Sequence, residues 1–294
     1  MLWLRSKTAR FLPGRFLLVL LSLCGLAGTS WAAPARVVSV NLCTDQMAMM
    51  IAAPGQLRAI SILARDKRSS AMAAAAELYP VTSGQAEDVF RLDPDLVLAG
   101  TYTTAVTVQM LTRLGIRVER FAPATSFAAI AANLRRMGQV LGREAVAEQL
   151  AVEMETAVAA LSSGPSAGPA VRAVFLDANS YTAGPGNLVH AMLQTAGLEN
   201  IAASRGLLGT ARLPLEVLLL AKPDILITAS RFDAPSVGEA VLDHPALAEL
   251  RHRTGAAVIA GQSYTCGLPQ TLAAVQALVA AREAVQARRL SARD

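Results

Sequence analysis

From Arg36 onward the apolar positions come in short runs of two kinds. Arg36 to Val40, Leu57 to Ile62, Leu96 to Ala99, Ile116 to Val118 and Val171 to Leu176 are brief and mostly rich in β-branched residues, and read as strands. Between them apolar residues recur at helical spacing, over Gln46 to Ala53, which stops at Pro54-Gly55, and over Thr104 to Leu114. Asn41 to Asp45 reads as a polar loop between the first strand and the first helix. Strand, helix and strand in alternation predict a parallel sheet.

The pattern changes in mid-chain. Phe127 to Leu161 is helical almost throughout and breaks at Gly142, and Arg143 to Leu161 alone would measure roughly 28 Å at 1.5 Å per residue. That length makes a strut rather than a crossover. Ser162 to Pro169 then carries turn and linker chemistry, the alternation resumes at Val171, and Gln270 to Leu290 forms a closing helix. The expected class is α/β with parallel sheets: an N-terminal lobe over 36–142, a connecting helix over 143–161 and a C-terminal lobe over 170–294.

The two halves contain a repeat. Glu87 to Leu98 aligns without gaps on Glu216 to Ile227, with Glu seven residues before Pro-Asp in both and a constant offset of 129 (216 − 87 and 223 − 94). Each block reads as a short amphipathic helix, a Pro-Asp turn that ends it and a buried strand. Two similar α/β lobes follow.

Composition, at 53% hydrophobic and 17% charged, excludes a disordered chain. The excess of 27 basic over 22 acidic side chains is local, because Arg5, Lys7, Arg10 and Arg15 precede one apolar run. With Ser30-Trp31-Ala32 behind it, that run reads as a secretory signal peptide over 1–32. Its removal leaves 23 basic against 22 acidic residues, so binding of nucleic acid by bulk charge is not expected. Leu21-Ser22-Leu23-Cys24 fits a lipobox only in part, since Leu23 is bulky where a small residue is wanted.

Open parallel sheets put their ligand loops at the carboxyl ends of the strands. Those loops supply Asn41, Thr44, Asp45, Arg65 and Tyr102 from the first half, and Asn179, Tyr181, Arg231, Phe232 and Tyr264 from the second. Arginines, amides and hydroxyls together suit an oxygen-rich, partly anionic small ligand. Cys43 and Cys266, one per half, are the only cysteines left after export; a bridge across the cleft and two buried thiols both remain open. Catalytic signals are few: the three histidines have no metal-site spacing, and neither a GxSxG elbow nor a Walker lysine occurs. Gly184 to Asn187 before a helix reads either as an anion cradle or as a capped turn. Glu87 and Glu216 read either as first-turn acids favoured by the helix dipole or as paired docking charges.

In this order the motifs resemble the type III periplasmic substrate-binding proteins of ABC importers, the family of vitamin B12 and ferric-siderophore binders. The resemblance rests on the exported start, Asn41 to Gln46, the two Glu-x6-Pro-Asp blocks, the long mid-chain helix and Tyr264-Thr265-Cys266-Gly267-Leu268-Pro269. It implies two Rossmann-like lobes joined by one rigid helix, a ligand between them and no resident cofactor or catalytic metal. It also implies a monomer whose Glu87 and Glu216 meet arginines on the two subunits of an inner-membrane permease, and a cargo that is a ferric siderophore or a corrinoid. Few lysines and several cleft arginines lean toward an anionic ferric chelate. With Trp3 and Trp31 lost on export, Tyr102, Tyr181, Phe232 and Tyr264 are left as aromatic walls. The competing reading is a periplasmic enzyme or sensor of a small anion, with Asp45, Asp66 or Asp177 as general base.

Overall fold

A computed structural model describes residues 33–162, 169–230 and 236–292. The expected signal peptide lies outside them, as do Arg231 and Phe232. The N-terminal half runs β1 (Val37–Ser39), α1 (Leu42–Ile51), β2 (Leu57–Ser61), α2 (Ala73–Ala76), β3 (Val81–Thr82), α3 (Ala86–Arg91), β4 (Leu96–Gly100), α4 (Ala105–Arg113) and β5 (Arg117–Phe121). Helices α5 (Phe127–Leu141) and α6 (Glu144–Ser162) follow. The C-terminal half runs β6 (Val171–Leu176), β7 (Tyr181–Ala183), α7 (Leu188–Thr195), β8 (Leu198–Asn200), α8 (Ile201–Ser204), β9 (Thr210–Arg212), α9 (Leu215–Ala221) and β10 (Ile225–Ala229). It closes with α10 (Pro245–Arg253), β11 (Gly255–Ile259) and α11 (Thr271–Ser291).

Both main sheets are parallel, in the orders β3-β2-β1-β4-β5 and β11-β10-β6-β8. In each the order reverses beside the lobe's first strand, between β1 and β4 and between β6 and β10. Those are the points where loops diverge and leave a crevice.

The sequence repeat has a physical cause. Asp93 and Lys222, at the offset of 129, both take a left-handed backbone (φ 47° each), which stops α3 and α9 ahead of Pro94 and Pro223. One residue past each proline, an aspartate clamps the start of the neighbouring central strand. Asp95 accepts from the N–H groups of Ala35 and Arg36 at 3.0 Å, and Asp224 accepts from that of Arg172 at 2.8 Å. These charge-assisted bonds satisfy donors at a strand start that no ladder reaches.

One apolar core joins the lobes. It runs from Val37, Leu96 and Leu98 of the first sheet through Leu134, Met137 and Met154 of α5 and α6 to Phe175, Ile225 and Ile227 of the second. A separate C-lobe cluster lies under α8 to α10, with Leu176, Leu218, Leu226 and Leu247 at its centre. The segment before α11 also crosses between lobes, burying Cys266 and Leu268 at 1% exposure each. A side chain at Gly267 would meet Ala124 at 2.6 Å and Ile130 at 2.8 Å, so only a glycine lets this segment lie against the first lobe.

Candidate functional site

A cavity of about 290 Å³ opens at the switch point of the first sheet. Asn41 and Thr101 to Tyr102 come from the loops after β1 and β4, Phe121 to Ala124 leave β5, and Thr265 to Gly267 close it from the second lobe. It falls at the low end of small-molecule sites and lies between the first lobe and the Thr265 to Gly267 segment.

Asn41 organises this wall. The expected polar loop is in fact the cap and first turn of α1: the Asn41 Oδ1 accepts from the N–H of Cys43 at 3.1 Å and of Thr44 at 3.4 Å, so the helix starts four residues before Gln46. The Asn41 amide also lies against Gly100, where a Cβ would stand 2.7 Å from its Nδ2. Any larger residue at 100 displaces the cap. Thr44 borders the cavity but is buried; its hydroxyl donates to the Asn41 carbonyl at 3.0 Å and pairs with Ser39 Oγ at 2.8 Å. Cys43 and Cys266 are joined by a disulfide, with Cα atoms 5.2 Å apart, and both line the cavity. The bridge fastens the second lobe's wall to the first turn of α1.

Other candidates lie elsewhere. Asp45 is fully buried, its carboxylate accepting from the Ser61 hydroxyl at 2.5 Å and the Ser61 N–H at 3.2 Å. Burial raises its pKa to about 6 against the opposing pull of those bonds. It packs under the site and does not face the ligand space. Arg65 turns away as well: its Nη2 donates to the Tyr79 carbonyl at 2.8 Å and its Nε lies 3.5 Å from Glu77. Asp66 caps its own turn, accepting from Ser69 Oγ at 2.9 Å and from Arg68, whose hydrogen bonds hold its pKa below the usual range.

On the second lobe, Asp177 accepts from the N–H of Ala178 at 2.7 Å and from the Tyr264 hydroxyl. Burial, then the Asp177 charge and hydrogen bond, push the Tyr264 phenol well above its ordinary value. The Tyr264 ring meets Phe175 edge-on at 5.6 Å. Asn179 and Ser180 take left-handed conformations (φ 55° and 59°) and turn the chain into Tyr181, which is half-exposed under the Arg212 guanidinium at 5.5 Å. None of Asp45, Asp66 and Asp177 belongs to the cavity wall, and among the described residues that wall carries no charged side chain. The Gly184 to Asn187 turn is capped by Asn187, which accepts from the N–H of Val189 at 2.9 Å, and His190 pairs through its ring with Asn200 at 2.9 Å.

Tyr102 stands 88% exposed at the rim. Glu87 and Glu216 are both exposed in the first turns of α3 and α9, and neither makes an ion pair among the described residues. Sequence reasoning missed Gly100, Asn133 and the Phe121 to Ala124 loop; the Gly100 that ends the buried β4 run was the one readable signal.

Two parallel sheets, a connecting helix and a switch-point cavity define a two-lobed α/β architecture with a cavity at a sheet's carboxyl edge. The chain belongs to the periplasmic binding protein family, whose model matches residues 37–267. A cobalamin-binding protein of Halobacterium salinarum is 35% identical over 156 residues, 50% of this chain and 42% of that protein. The chain therefore aligns with less than half the length of this curated relative. Among solved structures, a periplasmic heme-binding protein from Roseiflexus sp. RS-1 superposes with a TM-score of 0.68 at 23% identity, covering 85% of this chain and 98% of that one. A periplasmic vitamin B12 binding protein of Vibrio cholerae gives 0.65 at 17% identity, covering 86% and 98%.

Proposed function

We propose that this protein is the substrate-binding component of an ABC importer, exported by cleavage of residues 1–32, which captures a metal chelate between its lobes. It delivers the chelate, chemically unchanged, to an inner-membrane permease dimer, and works as a monomer. A corrinoid is the first choice of cargo and a ferric siderophore the second. The observation that carries this choice is a cavity wall uncharged among the described residues, where Asn41, Asn133, Thr101 and Thr265 offer amides and hydroxyls beside Phe121 and Met47. A corrin ring fringed by neutral amides suits such a wall, whereas a strongly anionic ferric chelate needs the cations that Arg65 does not bring. The curated relatives at 35% identity are named as cobalamin binders, which agrees with this choice.

The test is native mass spectrometry with absorbance titration, using cyanocobalamin and a ferric tris-catecholate as probes. A one-to-one, unmodified corrinoid adduct is expected. Binding of the catecholate alone would reverse the cargo order, and turnover of either probe would sink the receptor reading.

A further inference from the structure

The free edges of the two main sheets are guarded differently. In the first lobe the edge strand β5 carries Arg117, Glu119 and Arg120, with Glu119 held by Arg117 at 2.8 Å and by Arg136 at 3.0 Å. Charge of this kind discourages strand addition. In the second lobe one of the two edge strands is β11, whose sequence Gly255-Ala256-Ala257-Val258-Ile259 has no charge and no proline. Gly255 N–H donates to the Asp224 carbonyl at 2.7 Å, and the Ile259 carbonyl accepts from Ser230 N–H at 3.0 Å, so these alternate residues face β10. In a parallel ladder Ala256 and Val258 then turn their N–H and C=O groups to the open side. Both residues are exposed, Val258 at 64%.

A cationic groove opens at the foot of this strand. Two adjoining cavities of about 530 and 290 Å³ share Pro223, Arg253 and Thr254. Leu219, Leu250 and Val285 supply apolar lining. Four cations line the groove, of which Arg253 is paired with Glu249 at 2.6 Å and Arg289 with Asp224 at 2.5 Å. Lys222 and Arg288 have no acidic partner among the described residues; the Arg288 Nε reaches only the Ala284 carbonyl, at 3.3 Å. A Cβ on Gly255 would stand 3.1 Å from Arg288 Nη2, which puts that guanidinium at the first residue of the open edge.

We propose that β11 and this groove take an extended, acidic segment of a partner protein, which adds as a fifth strand to the second sheet and sets its carboxylates on Lys222 and Arg288. Main-chain pairing gives affinity in this mode and the cations give selectivity. A second copy of the chain is the poorer occupant, because it would bring Lys222 and Arg288 toward their own kind. Lys222 closes the end of α9 opposite Glu216, about 9 Å along the helix axis at 1.5 Å per residue, and the groove shares no lining residue with the switch-point cavity.

The probe is an acetylated twelve-residue peptide of alternating valine and glutamate, with the valine and lysine peptide as its control, titrated into the purified protein and read by amide NMR and hydrogen exchange. Saturable shifts at Ala256 to Val258, slower exchange of the Ala256 and Val258 amides, and a tenfold or greater loss of affinity in Lys222→Glu/Arg288→Glu are expected. Both substituted side chains are exposed, and unchanged resonances elsewhere in the variant certify its fold. Equal binding of the lysine peptide, shifts that map away from β11, or a concentration-dependent dimer through these same amides would each overturn the proposal.

Discussion

The two lobes are alike where their strands begin and unlike where they end. At the strand starts, Asp95 and Asp224 make the same clamp after the same left-handed stop at Asp93 and Lys222. At the strand ends, β1 passes through Asn41 straight into α1, whereas β6 runs into the left-handed Asn179 and Ser180 and a detour through the antiparallel pair β7 and β9. Two non-glycine residues at positive φ cost of order 1 kcal/mol or more each, and such strain persists only where the surroundings impose it. Tyr181 and Arg212, stacked at 5.5 Å, sit on that detour. The repeat thus builds a common base, left-handed stops included, and the lobes part company only at the strand ends.

The strongest test of this likeness is at Glu87 and Glu216. As equivalent docking charges, each reversed alone should cut uptake through the reconstituted permease by a similar factor, and Glu87→Arg/Glu216→Arg together should reduce it to background. Ligand affinity should stay within about twofold, since both side chains are exposed and outside the cavity wall. Single variants that differ more than about tenfold would show that the lobes dock unequally, and uptake that survives the double reversal would remove docking from both.

The disulfide comes next in size. Cys43 and Cys266 close a loop spanning 223 positions, for which the chain-entropy account gives at most about 5 kcal/mol, lowered in practice by residual structure in the unfolded chain. Cys43→Ser/Cys266→Ser should therefore lower the urea midpoint substantially. The unfolding should still follow a single transition, because the apolar core runs unbroken from Val37 and Leu98 to Phe175 and Ile227. Two separate transitions in the double variant would mean that the bridge, rather than the core, makes the lobes one body.

Much of this architecture was legible in the sequence because it is local. Short β-branched runs, the Gly142 break, the Pro-Asp turns and the 129-residue offset are all contiguous signals, and α6 falls within one residue of the expected strut at each end. The site was less legible. Asn41 to Asp45 reads as a loop by polarity, yet an Asn cap turns the same residues into helix, and Asp45 reaches the Ser61 hydroxyl only once β2 lies beside β1. Arg65 gives no local sign that the carbonyl ends of α2 will hold its guanidinium, and the β7 and β9 pairing depends on backbone conformations that no residue at 179 or 180 demands. The cysteines were placed at the cleft by their loops, while their bonding waited on a Cα separation.

The smallest expected effect concerns the acid under the first lobe's site. Burial, the leading cause, raises the folded pKa of Asp45 to about 6 from its ordinary 3.8. Between those values the folded state holds a proton that the unfolded chain has released, so stability from this group is fully present below about pH 4 and is lost as pH rises through 6. Two pKa units correspond to about 3 kcal/mol, as an order of magnitude. Partly buried, paired acids such as Asp66 and Glu119, whose pKa values are lowered, push the other way, so the group must be isolated as a difference. Asp45→Asn keeps an acceptor for the Ser61 N–H and cannot ionise. Its unfolding free energy minus that of the parent should grow by up to about 3 kcal/mol from pH 4 to pH 7, measured by urea denaturation at each pH. A difference that is flat across this range would mean that Asp45 stays ionised in the fold, and that Ser39 and Ser61 outweigh its burial.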